Sequence, residues 1–125
     1  MKIVDVRTTA LIGKLNGFSE NRYFYPDPLG RGIFFFSHRA FMFVEVITDE
    51  GLVGIGTHCH SLPPKLFKAA VEDLKDLIVG EDPCFIERIW EKIYHSTIRY
   101  GRRGVVIGAL SAIDIALWDL MGKSL

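Results

Sequence analysis

Cysteine is scarce in this chain, with only Cys59 and Cys84 among 125 residues. Two are too few for a disulfide framework, and both are expected as packing residues, because free cysteine behaves as a small hydrophobe. Charge of one sign is lacking too. Fifteen Lys and Arg balance fifteen Asp and Glu, which leaves no net field to draw nucleic acid or an anionic membrane. The opening residues, MKIVDVRT, hold no uninterrupted apolar run after the single lysine. No secretory signal is read there, and a cytoplasmic location is expected. The longest apolar stretch, residues 105–121, has 17 positions broken by Ser111, Asp114 and Asp119. A bilayer span takes about 20 predominantly apolar residues, so no transmembrane helix is expected. Walker and dinucleotide glycine loops, GxSxG elbows and CxxC pairs are also missing, which removes nucleotide chemistry.

What is present is ordinary for a globular domain. Hydrophobic residues make up 49% and charged residues 24%, near the usual shares, and the length suits one domain. Val4, Val6, Ala10 and Ile12 alternate with Asp5, Arg7, Thr9 and Leu11, the period of two of a half-buried strand. A second strand is read over residues 39–48 and a third over 52–57, joined by Asp49, Glu50 and Gly51. Gly51 suits the left-handed position of a three-residue hairpin loop. The connection over residues 13–38 has no regular period and holds Gly17, Gly30, Gly32, Pro26 and Pro28. Structureless connections that long are usually functional, so it is read as a lid.

Beyond Pro63 and Pro64 the period becomes helical. Leu66, Phe67, Ala70, Val71, Leu74, Leu77 and Ile78 form one stripe, closed by Gly80. Asp82 is read as the cap of a second helix with Pro83 in its first turn. Its stripe is Phe85, Ile86, Ile89, Trp90, Ile93 and Tyr94, and it runs toward Gly101. A third helix, starting near Gly104, is apolar on nearly every face and so needs cover on all sides. Three strands and two helices leave part of it uncovered, which points to an interface. The fold class is therefore α+β, a three-stranded antiparallel meander followed by three helices, in one domain over residues 1–125.

Several local sequences resemble the N-terminal capping domain of the enolase superfamily. TDEGLVGIG at residues 48–56 is similar to that family's second hairpin, and Glu81, Asp82 and Pro83 followed by IERIWEKIY at 86–94 to its middle helix. GALSAIDIALWDLMGKSL at 108–125 resembles the helix leading into the barrel in relatives of mandelate racemase and muconate lactonizing enzyme. YGRRG at 100–104 resembles the mandelate racemase branch, particularly its sugar acid dehydratases. The resemblance implies a (β/α)7β barrel after this domain, and proton abstraction alpha to a carboxylate with Mg2+ held by barrel carboxylates. It places no catalytic and no metal position in this chain, so the chain alone is expected to be inactive. The implied partners are the barrel, a small carboxylate or acid sugar substrate, and further copies in a homo-oligomer. The alternative reading is a stand-alone module for small-molecule binding or oligomerisation.

Residue by residue, the chemistry is sparse. Asp114 and Asp119 lie five positions apart, about 140° around a helix, so they share no metal face. Asp114 and Ser111 are read as hydrogen-bonding local backbone, Asp119 as pairing with a basic residue, and Trp118 as core or interface. His58, Cys59 and His60 are residue types that ligate zinc, but in a strand Cys59 faces away from the two histidines and no further cluster lies nearby. The resemblance gives the loop after this strand a place over the barrel mouth, which makes Thr57, His58 and His60 substrate-binding candidates. Arg22 and Tyr23 join them from the first loop, where Tyr25, Phe34, Phe35 and Phe36 also gather and Arg22 or Arg31 suits an acid group. Equally open is that the histidines have no role and the aromatics pack at a subunit contact. Arg102 and Arg103 precede a helix start, where the macrodipole disfavours cations, so each is expected to have an anionic partner.

The uncovered third helix carries a first prediction. The isolated chain should self-associate at high concentration and bind an apolar dye. Sedimentation as a stable monomer with no dye binding would refute it.

Overall fold

In the computed structural model, residues 1–14, 38–58 and 63–125 are described, with backbone alone at Lys14, His38 and Arg39. The expected lid lies outside the described residues, apart from its ends. Strands β1 (Ile3–Lys14), β2 (His38–Thr48) and β3 (Val53–His58) form one antiparallel sheet in the order β1-β2-β3. Helices α1 (Pro64–Ile78), α2 (Ile86–Thr97) and α3 (Val105–Ser124) follow in sequence. This is the expected α+β meander with three helices.

The hairpin closes as its residues predict. Gly51 has φ 83°, and the Thr48 amide donates to the Leu52 carbonyl at 3.0 Å. The Thr48 hydroxyl also donates to that carbonyl and accepts from the Leu52 amide at 3.1 Å. A buried polar side chain is thereby satisfied within its own turn.

Alternation in β1 breaks near its start. The register shifts between Ile3 and Asp5, so Ile3 and Val6 both reach the core while Val4 is exposed, and Ile12, on the same side of the strand as Val6 but near its far end, is exposed as well. An extra residue in one strand reverses the faces beyond it. The inner face of the sheet is completed by Met42, Val44 and Val46, all fully buried.

The helices need similar corrections. In α1 the buried stripe is Phe67, Val71, Leu74 and Ile78, and Leu66 is exposed. Gly80 follows with φ 90°, and its amide donates to the Ile3 carbonyl at 2.8 Å. Asp82 does not cap α2. Its carboxylate accepts from the Cys84 amide at 3.0 Å, and its carbonyl from the Phe85 amide at 3.1 Å, so it closes a turn just before the helix. Phe85 consequently falls outside the stripe and is exposed, as is Cys84. The expectation that Cys84 packs inside is therefore wrong, and Cys59 is outside the described residues. The buried face of α2 is Ile86, Ile89, Ile93 and Thr97, and the helix stops short of Gly101 at Thr97, whose hydroxyl donates to the Ile93 carbonyl at 2.9 Å.

Helix α3 is the centre of the domain. Its 20 residues are long and apolar enough to cross a membrane by length and composition alone, so length does not argue against a span. Packing does. Its buried positions Ala109, Ala112, Ile113, Ala116, Leu117 and Leu120 lie against the sheet and the other two helices. The tightest contact is with β3. A Cβ on Gly56 would lie inside the van der Waals envelope of the Ala112 carbonyl oxygen, and one on Gly54 inside that of Ala116. Only hydrogen side chains on the strand and methyls on the helix let the two backbones come this close.

Gly56→Ala should therefore overpack the domain and cost about 3 kcal/mol, at the upper end of the usual range. Gly13→Ala, with open space around the site, is the control. Denaturant midpoints read both, and equal midpoints would contradict the close contact.

Candidate functional site

The topology brings three strand ends together. Lys14, the last residue of β1, pairs with His38, the first of β2, and His58, the last of β3, pairs with Met42 on the same strand. The chain segments after β1 and after β3 therefore leave the sheet at one end. This is where the sequence candidates fall. Thr57 and His58 are described, whereas Arg22, Tyr23 and His60 lie outside the described residues, as do Arg31 and the loop aromatics.

Thr57 is exposed, and its hydroxyl donates to the Met42 carbonyl at 3.0 Å. His58 is half-buried and stacks on Phe67 of α1, with ring centroids 5.8 Å apart and planes 16° from parallel. Its imidazole is held in place by a core aromatic, a use the sequence did not reveal because Phe67 lies nine positions on. Leu11, Ile12 and Phe41, at the same end of the sheet, are all exposed. Successive strand residues face opposite ways, so Thr57 lies on the outer face with Leu11 and Phe41, and His58 on the inner face with Ile12. No group of three or more His, Cys, Asp or Glu side chains able to hold a metal occurs among the described residues. Magnesium does not fit the donors of the described residues, and no chemical step is assigned to it there.

A second surface lies between α2 and α3. Ile86, Glu87, Trp90 and Glu91 of α2 and Asp114 and Trp118 of α3 line a groove of about 190 Å³. Trp118, read as core or interface, is 58% exposed, and Ile115 beside it is 43% exposed. The uncovered stripe expected on α3 is real. Asp114 does not bond to local backbone as expected, and it has no partner among the described residues. Burial alone pushes its carboxyl above the ordinary range. Asp119 does pair with a base, Lys123, one turn on at 2.6 Å. Arg102 and Arg103 are exposed and form no ion pair among the described residues, so the expected anionic partners are not found there.

The rim of the domain is tied by charge. Glu81 binds Arg88 and Lys92, the latter at 2.7 Å, and Lys92 foremost, then Arg88, holds its carboxyl below the ordinary range. Asp5 is lowered by Lys75 and then Arg7. These two carboxylates stabilise the fold above the unfolded carboxylate pKa, and that stability disappears as pH falls through their depressed folded values. Asp114 has the opposite sign, because a raised folded pKa costs stability at neutral pH and the cost is relieved on protonation. Asp114→Asn should therefore unfold at a higher denaturant concentration than the parent at pH 7, with the gap closing as pH falls from the raised folded value toward about 3.9, the unfolded aspartate value. A gap independent of pH would contradict this.

Comparison with known proteins agrees with this geometry. The profile of the mandelate racemase / muconate lactonizing enzyme N-terminal domain matches residues 24–125. The D-galactarolactone cycloisomerase of Agrobacterium fabrum is 37% identical over 123 residues, which is 98% of this chain and 29% of that protein. The arabinonate dehydratase of Saccharolobus solfataricus is 41% identical over 80 residues, 63% of this chain and 21% of that protein. The crystal structure of L-talarate/galactarate dehydratase from Salmonella typhimurium LT2, liganded with Mg and L-lyxarohydroxamate, superposes with a TM-score of 0.78 at 25% identity. The superposition covers 98% of this chain and 31% of that one. This chain thus spans a fifth to a third of the relatives it matches, and it belongs, as an N-terminal domain, to the mandelate racemase / muconate lactonizing enzyme family of the enolase superfamily.

Proposed function

We propose that this chain is the capping and substrate-selecting domain of a magnesium-dependent enzyme that dehydrates or isomerises a sugar acid, beginning with removal of the proton alpha to its carboxylate. The observation that carries this reading is the uncovered stripe of α3, with Trp118 and Ile115 open beside a groove. Apolar surface of this kind suits a permanent neighbour, and a (β/α)7β barrel is the neighbour this reading supplies. The dehydratase and cycloisomerase activities of relatives that align over most of the chain support the substrate class.

Within this division of labour the barrel provides the base and the metal carboxylates, and the cap provides selectivity. Thr57 and His58 stand at the sheet end from which both long connections depart. Thr57 offers a hydroxyl to a sugar hydroxyl, and His58, steadied by Phe67, offers a ring nitrogen. Arg22, Tyr23 and His60 complete the proposed substrate contacts, with the guanidinium suited to the acid group. Remote contacts of this type lower the barrier by fixing the substrate's orientation toward the reacting centre.

The test compares the 125-residue chain with a polypeptide that joins it to a family barrel, each assayed on a panel of aldonic and aldaric acids with and without chelator. The chain alone should show no turnover, and the joined protein should show turnover that chelation abolishes. In the joined protein, Thr57→Val or His58→Ala should shift kcat/KM between substrates by about tenfold, or about 1.4 kcal/mol. Chelator-sensitive turnover by the verified short chain would overturn the assignment.

A further inference from the structure

The sheet has two edges, and they are protected by different means. An unprotected edge presents unpaired amide and carbonyl groups to any other strand, and proteins blunt it with charges, proline, bulges or a covering segment. On β1 the means are visible in the strand. Its register shifts between Ile3 and Asp5, and it carries Asp5 and Arg7, which pair with each other at 2.9 Å. The connection between α1 and α2 also covers its start, with the Ile3 amide donating to the Glu81 carbonyl at 2.9 Å and the Gly80 amide to the Ile3 carbonyl at 2.8 Å.

Strand β3, at the opposite edge, shows none of these among the described residues. Its sequence VGIGTH contains no Lys, Arg, Asp, Glu or Pro. Ile55 is 46% exposed, and two glycines weaken the strand's own hold on its register. What the strand lacks, α3 provides. The Ile55 amide donates to Asp119 Oδ2 at 2.8 Å, Lys123 Nζ donates to the Val53 carbonyl at 2.8 Å, and Lys123 Nζ also donates to the same Asp119 oxygen at 2.6 Å.

We propose that Asp119 and Lys123 form a clamp that closes the β3 edge against strand pairing with a second copy of this chain. The carbonyl of one residue and the amide two positions on are the pair that a single residue of an incoming parallel strand would bond. The carboxylate supplies the acceptor and the ammonium the donor, so the two side chains together stand in for that residue. The one-turn spacing puts both on one face of α3. The glycine contacts at Gly54 and Gly56 bring that face within reach of the edge. Lys123 first, and then the Ile55 amide, also hold the Asp119 carboxyl below the ordinary range, as a clamp between ionised partners requires. A second copy is the occupant excluded because it carries the same charge-free strand at matching length, and identical strands pair in register.

The experiment reads amide hydrogen exchange and sedimentation on the whole chain. In the parent, the Ile55 amide should be protected although it points away from β2. In Asp119→Ala/Lys123→Ala it should exchange at least about tenfold faster in dilute solution, and at matched higher concentration the protein should sediment as larger species than the parent. Adding Ile55→Lys, which places a charge on the outward face of the strand, should restore the parent's sedimentation. Lys123→Met keeps most of the side-chain bulk while removing the donor, and should show the same changes more weakly if the double variant does not fold. An unprotected Ile55 amide in the parent, or a folded double variant that sediments like the parent, would overturn the clamp.

Discussion

Gly54 and Gly56 set the backbone of β3 against the carbonyls of Ala116 and Ala112, and the α3 helix held there supplies core residues to the sheet and to both other helices. A helix lying directly on a strand buries its own small residues, with Leu120 also against Gly54, while Leu110, Ile113 and Leu117 join the core with α1, α2 and the inner face of the sheet. The same approach carries Asp119 and Lys123 past the strand, close enough to bond its backbone. One steric allowance therefore serves both the core and the sheet edge. Any side chain at either glycine would push the helix outward and loosen the two together.

The domain has two unfinished surfaces, and they differ in kind. At one end of the sheet, where the long connections depart, Thr57 and His58 stand on opposite faces of β3, Thr57 on the side of exposed Leu11 and Phe41 and His58 against Phe67. Between α2 and α3, Trp90 and Trp118 line a groove whose carboxylates, Glu87, Glu91 and Asp114, form no ion pair among the described residues. A broad apolar surface gains most from a permanent protein neighbour, since a ligand that comes and goes would leave it repeatedly exposed to water. The capping role gives each surface a use, one toward substrate and the other toward the barrel.

Charge plays a restrained part in this architecture. The ion pairs at Asp5, Glu81 and Asp119 are all at or near the surface, where single pairs contribute little to stability. Their value is positional. Lys75 ties α1 to β1, Arg88 and Lys92 tie α2 to the segment that covers the β1 edge, and Lys123 ties α3 to β3.

The sequence by itself determined the number and order of strands and helices, the Gly51 turn, the Gly80 stop and the oversupply of apolar surface on α3, because each of these is written in local periodicity or in a residue with special backbone freedom. The family was legible for the same reason, since its motifs are contiguous runs. Only the tertiary structure decided that β1 shifts register so that Val4 turns outward, that Asp82 closes a turn before α2, that Cys84 and Phe85 are exposed, that His58 rests on Phe67 and that Asp119 meets Ile55 across 64 positions. Each depends on which distant residue occupies the neighbouring space, and no local pattern encodes that. The two aspartates of α3 illustrate the divide. The pairing of Asp119 with a base is expected from sequence, yet its bond to a strand amide is not, and the helix's orientation leaves Asp114 half-buried in a groove without a partner among the described residues.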